Sequence, residues 1–144
     1  EFDPFILPRT VDEVFFRLQA KGVCPIIAHP ERYHAIQNHL NIAKHWKNKD
    51  YILQINASSI LGHFGRTCQD TSIKLIENSM CDLIGSDAHN NSSRNFCLKD
   101  ALNFLESKFK ENNGELFNHN ANKLIIGEEL QKIAFSKKNK FWFF

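Results

Sequence analysis

The chain has 144 residues, 42% of them hydrophobic and 24% charged. That length supports one domain with a real core, and that composition belongs to a globular protein rather than a disordered segment. A net charge of +2 is too small to imply nucleic acid or an acidic membrane as partner. No stretch is long or apolar enough to cross a bilayer, and no secretory signal opens the chain.

In chain order, the pattern predicts a helix from Thr10 to Lys21, capped by Thr10 with Glu13 three residues on, in the manner of a capping box. Val11, Val14, Phe15 and Leu18 share its apolar face and Gly22 ends it. Val23 to Ala28 reads as a short buried strand ending at His29. A helix over 35–47 follows, then a strand over 51–55 and a polar turn, Asn56-Ala57-Ser58-Ser59. Asp70 is expected to cap a helix running to Ser79. Asp82 to Gly85 reads as a third strand leading into Ser86-Asp87-Ala88-His89. Helices over 96–110 and 116–126 close the pattern. Short buried strands alternating with helices imply parallel α/β packing, in which working residues collect beyond the C-terminal ends of the strands.

The cysteines, Cys24, Cys68, Cys81 and Cys97, form no C-x-x-C pair, so neither a zinc ribbon nor a thioredoxin-type motif is supported. Cys24 and Cys81 read as small core residues, and a reducing compartment, the cytoplasm, is the simpler setting. The opening Glu1-Phe2-Asp3-Pro4-Phe5 has no initiator Met and is expected to be a piece of a longer protein. Lys137-Lys138-Asn139-Lys140 reads as a solvated tail, and the aromatic run Phe141-Trp142-Phe143-Phe144 has no assigned packing.

His29 and the Asp87/His89 pair both fall at predicted strand ends. In an extended D-x-H the side chains point the same way, so a carboxylate and an imidazole would reach neighbouring ions such as zinc, manganese or iron. The alternative is a turn-capping Asp87 and an exposed loop His89. Arg32 follows His29 by three residues, and Arg94 follows His89 by five. A guanidinium holds phosphate oxygens bidentately and stays charged. The alternatives are Arg32 paired with Glu31 or Glu13, and Arg94 free on the surface. His63, within Ile60-Leu61-Gly62-His63-Phe64-Gly65, lies in a glycine-flanked loop of the kind that approaches sites. No G-x-S-x-G, P-loop or G-x-G-x-x-G occurs, and Cys68 lacks the following Arg that a cysteine phosphatase needs.

Ala28-His29-Pro30-Glu31-Arg32-Tyr33, Gln54-Ile55-Asn56-Ala57-Ser58-Ser59-Ile60-Leu61-Gly62 and Gly85-Ser86-Asp87-Ala88-His89-Asn90 together resemble bacterial protein-tyrosine phosphatases of the polymerase-and-histidinol-phosphatase (PHP) superfamily, of the CpsB/CapC type that regulates capsule and exopolysaccharide synthesis. Asn120-Ala121-Asn122-Lys123-Leu124-Ile125-Ile126-Gly127 agrees as well. The resemblance covers residues 1–130 and leaves 131–144 as a tail.

It implies an α/β fold, the C-terminal portion of a distorted (β/α)7 PHP barrel. It implies up to three metal ions in the complete protein, manganese first, with zinc or iron as alternatives. Glu1, His29, Asp87 and His89 match metal ligands, and Arg32 and Arg94 match arginines that hold the phosphate. The implied substrate is phosphotyrosine on protein, with a bacterial tyrosine kinase of polysaccharide synthesis as partner. The family's N-terminal H-x-H is absent, and its Arg-Pro is Arg94-Asn95 here. Histidinol phosphate or a sugar phosphate is the alternative substrate, and an inactive truncated fragment the alternative to an enzyme.

Overall fold

A computed structural model describes residues 1–92, 94–109 and 113–136; Lys137–Lys140 and the aromatic run Phe141–Phe144 lie outside the described residues. The element order is α1 (Val11–Gln19), β1 (Ile26–Ala28), a 3-10 turn (Pro30–Arg32), α2 (His34–Asn38), α3 (Asn41–Asn48), β2 (Ile52–Asn56), α4 (Ala57–Ile60), α5 (Arg66–Glu77), β3 (Leu83–Gly85), α6 (Leu98–Lys108) and α7 (Asn113–Ile126). The three strands form one sheet in the order β1-β2-β3. Both pairings are parallel, with Ala28 beside Gln54 and Asn56 beside Gly85. All three strands therefore end on the same side, which is where His29, Asn56 and Asp87 emerge.

The core forms where apolar strand residues meet the inward helix faces. Ile27, Leu53 and Ile55 are almost wholly buried, as are Ile36, Trp46, Leu75, Ile76 and Leu105. Phe15 of α1 stands edge-on to Tyr51 at 5.0 Å and to Trp46 at 6.2 Å between centroids, a geometry that aromatic quadrupoles favour. Helices hand over to strands by one device. After α3 the Asp50 and Tyr51 N–H groups return to Lys47 and Trp46, and after α5 the Ser79 and Met80 N–H groups return to Ile76 and Leu75. This closure needs a left-handed residue, supplied by Asp50 (φ 59°) and Ser79 (φ 56°).

A polar clamp sits beneath the sheet. Asp82 Oδ2 accepts from the Leu53 N–H at 2.8 Å, and Lys47 Nζ donates to Oδ1 at 2.7 Å. Asn120 of α7 is fully buried; its Nδ2 donates to the Asp82 carbonyl at 3.1 Å and to the Gln131 carbonyl at 3.0 Å, and its Oδ1 accepts from the Gln131 N–H at 2.9 Å. The clamp leads residues 131–135 back over the domain. There Ile133 is buried and Phe135 meets the Phe109 and Phe117 rings at 5.3 and 5.8 Å.

Several local expectations are corrected. Thr10 makes no side-chain cap, and Glu13 pairs with Arg17 at 2.6 Å instead of reaching back to Thr10. The first strand starts only at Ile26, because Pro25 has no N–H to give the ladder. The helix expected over 35–47 is broken at His39 (φ −139°). Before the break Asn38 Nδ2 takes the His34 carbonyl at 2.8 Å, a local bond that competes with helix continuation. The turn expected over Asn56–Ser59 is a helical turn, Ala57–Ile60. Helix α5 starts after Gly65 rather than at Asp70, which pairs with Arg66 at 3.6 Å. Cys24 is exposed, whereas Cys81 is buried as expected.

Candidate active site

The site is built from the loops that follow the three strands. After β1 the chain turns at His29, which has left-handed angles (φ 37°, ψ 54°), and Pro30 opens a 3-10 turn. After β3 it turns again at Asp87 (φ 48°). A left-handed residue that is not glycine is strained, and such strain collects at functional sites. The expected extended Asp87-Ala88-His89 is therefore corrected: the kink turns the Asp87 carboxylate inward and leaves the His89 ring more exposed, at 22% and 54% of their side-chain surfaces.

His29 is 3% exposed, and its Nε2 lies 2.9 Å from Glu1 Oε1. Burial pushes its pKa down and the Arg32 charge adds to this, outweighing the pull of Glu1 and Asp87. The neutral imidazole is the form that ligates metal. Glu1 is held there by its neighbour: the Phe2 N–H donates to the Tyr33 hydroxyl at 3.2 Å, and that hydroxyl donates to the Ala28 carbonyl at 2.8 Å. Burial pushes the Tyr33 phenol up to about 12.

Asp87 is the hub of the other half. Its Oδ2 accepts from Asn56 Nδ2 at 2.8 Å and from Arg94 Nη2 at 2.6 Å, and Arg32 Nη1 stands 3.7 Å away. Burial alone would raise its pKa; the Asn56 and Arg94 hydrogen bonds and the Arg94 charge more than offset this, so the net shift is downward. Arg94 is no free surface arginine, and its Nε is buried without a partner. Arg32 pairs with neither Glu31 nor Glu13; its guanidinium lies over the Phe64 ring, 4.6 Å from the centroid. His89 Nδ1 lies 2.9 Å from the Asp87 carbonyl. A carbonyl only accepts, so Nδ1 carries the proton, and in the neutral ring Nε2 is the nitrogen left with a lone pair.

The structure thus brings Glu1 to His29, and Arg32, Arg94 and His89 to Asp87. Among the described residues no group of three or more His, Cys, Asp and Glu side chains gathers to hold a metal ion. The sequence reading missed Asn56, the fully buried final residue of β2, and Glu31, also fully buried. Glu31 Oε1 accepts from the Asn56 N–H at 3.2 Å, and the buried Ser59 hydroxyl lies beside the carboxylate. Burial pushes the Glu31 carboxyl up to about 7. A polar residue closing an apolar strand was the available signal for Asn56.

The family model for "Capsular polysaccharide synthesis, CpsB/CapC" matches residues 1–126. The chain belongs to the CpsB/CapC family. Among curated CpsB/CapC relatives, the tyrosine-protein phosphatase YwqE of Bacillus subtilis strain 168 is 35% identical, over 86% of this chain and 49% of that protein. A putative tyrosine-protein phosphatase CapC of Staphylococcus aureus is 34% identical, over 99% of this chain and 57% of that protein. The chain spans about half the length of these relatives. A crystal structure from work on YwqE of Bacillus subtilis and CpsB of Streptococcus pneumoniae, described as unique metal-dependent tyrosine phosphatases, matches with a TM-score of 0.86 at 31% identity. The match covers 96% of this chain and 56% of that one. No helix among the described residues is long and apolar enough to cross a membrane.

Proposed function

We propose that this chain forms part of a metal-dependent phosphoric monoester hydrolase that removes phosphate from phosphotyrosine on protein. The observation that carries the reading is the Asp87 carboxylate at the end of β3, kept ionised by Asn56 and Arg94 with Arg32 at 3.7 Å. Carboxylate and guanidinium groups side by side suit a cation and a phosphate held together. The CpsB/CapC relatives, named as tyrosine-protein phosphatases, favour phosphotyrosine over histidinol phosphate or a sugar phosphate.

The Glu1–His29 pair fits part of the shell of a divalent ion. The 2.9 Å between His29 Nε2 and Glu1 Oε1 is close to the spacing of two ligands on one ion, whose bonds run about 2.0–2.2 Å. His29 and Glu1 would hold one ion and Asp87 and His89 would reach others, with manganese favoured over zinc or iron and up to three ions in a complete (β/α)7 PHP barrel. Such an ion supplies Lewis acidity toward phosphate oxygens and a lowered water pKa. Arg32 and Arg94 bind phosphate oxygens and stabilise charge that develops during transfer. Asn56 and Tyr33 orient Asp87 and the Glu1 segment. Residues 1–130 are assigned to this domain, with 131–135 packed back over it, in a cytoplasmic protein whose partner is a bacterial tyrosine kinase of polysaccharide synthesis.

The test is phosphotyrosine hydrolysis by the full-length protein before and after chelation, after metal is restored, and after cysteine alkylation. Loss on chelation, recovery with manganese and indifference to alkylation are expected. Activity that survives chelation but is lost to alkylation would overturn the reading.

A further inference from the structure

The loop between α4 and α5 enters the site with one side chain, Phe64. Its tip, His63-Phe64, is bracketed by Gly62 (φ 85°) and Gly65 (φ 87°), angles that ordinary side chains adopt only under strain. Helix α4 closes as the Gly62 and His63 N–H groups return to the Ser59 and Ser58 carbonyls at 3.0 and 2.9 Å, and the Gly65 N–H returns to Gly62 at 3.0 Å. Gln69 Nε2 donates to the Ile60 carbonyl at 2.9 Å, and its carboxamide lies so close to Gly62 that an added Cβ would stand 3.3 Å away. The backbone at the loop tip is therefore held in place.

That half-buried ring underlies the Arg32 guanidinium, at 4.6 Å, within the roughly 6 Å reach of a cation–π contact. A guanidinium carries five N–H donors around the edge of its plane. Arg32 reaches Asp87 at only 3.7 Å, so its edge has donors to offer. A phosphate held on that edge lies near Phe64, with the ring within reach of its ester substituent. A methyl or other small alkyl group leaves the ring uncovered, whereas an aryl group meets it as one aromatic meets another.

We infer that Phe64 is a specificity-determining residue, forming one wall of a subsite for the aryl group of an aryl phosphate ester whose phosphate lies on Arg32. The inference rests on the phosphatase reading above and adds the residue that selects an aromatic ester. It is distinct from a role in which Phe64 merely supports Arg32, because that role affects every phosphate ligand equally.

The experiment measures inhibition of the full-length protein by phenylphosphonate and by methylphosphonate, two probes that are not hydrolysed, in the wild type, Phe64→Ala, Phe64→Leu and Arg32→Ala. Phe64→Ala should weaken phenylphosphonate about five-fold, the size of one aromatic contact, and leave methylphosphonate within about two-fold. Phe64→Leu, which keeps bulk without the ring, should fall between. Arg32→Ala should weaken both probes alike. Equal weakening of both probes by the Phe64 variants, or no change in either, would overturn the inference while leaving the phosphatase reading intact. A wild type that hydrolyses no phosphate ester and binds neither probe would defeat the phosphatase reading and this inference with it.

Discussion

Asn56 Nδ2 donates to Asp87 Oδ2 at 2.8 Å, joining the last residue of β2 to the first turn after β3. The Asn56 backbone N–H donates to Glu31 Oε1 at 3.2 Å, so the loops after all three parallel strands are linked through one buried residue. Asn56→Leu keeps the volume and removes the donor. The variant should lose about 1–3 kcal/mol, because Asp87 is left short of a partner. Urea unfolding measures this. Phosphotyrosine hydrolysis by the full-length protein should fall at least about ten-fold, the effect of roughly 1.4 kcal/mol lost from the transition state. Unchanged stability and activity would show that the link is idle.

Glu31 gives stability a pH dependence. Its carboxyl is pushed from an ordinary value near 4.5 up to about 7 by burial. Between those values the folded chain keeps a proton that the unfolded chain has released, so stability falls as pH rises through this window. The fall is at most about 3–4 kcal/mol for a shift of this size. Glu31→Gln should flatten the profile. Urea unfolding from pH 4.5 to 8 in the presence of a chelator, so that no bound cation contributes, measures both curves.

The clamp beneath the sheet should be costly to break. Asp82 is 7% exposed and serves both the Leu53 N–H and Lys47. Asp82→Ala should destabilise by about 3 kcal/mol, since it strands a charge and a backbone donor together. Asn120→Ala removes three hydrogen bonds at a fully buried position and should cost about 2–3 kcal/mol. Amide exchange in residues 131–135 should then accelerate before that of β2.

Ser79 closes α5 at φ 56° and is exposed. Glycine takes that conformation without strain, so Ser79→Gly should stabilise by about 1 kcal/mol. A higher midpoint in urea with an unchanged slope is the expected result.

Much of this architecture was legible because periodicity and punctuation agree with the fold. Ile27, Leu53 and Ile55 read as buried strand residues and are buried; Gly22 ends α1 in the left-handed region. What was hidden depended on tertiary contact. Thr10 and Glu13 spell a capping box, yet Glu13 prefers Arg17. Ser79 carries no turn signature, yet the chain after α5 forces it left-handed. Around the site, His29, Asp87 and both arginines were readable as strand-end chemistry. The left-handed turn at Asp87 was not, and neither was the placement of Arg32 over Phe64, because each depends on a loop remote in sequence.

Crystals of the full-length protein grown with manganese and measured at the manganese absorption edge address the central claim directly. The account predicts an anomalous peak within bonding distance of both His29 and Glu1, with further density at Asp87. Manganese density confined elsewhere, with His29 and Glu1 still bonded only to each other, would contradict it.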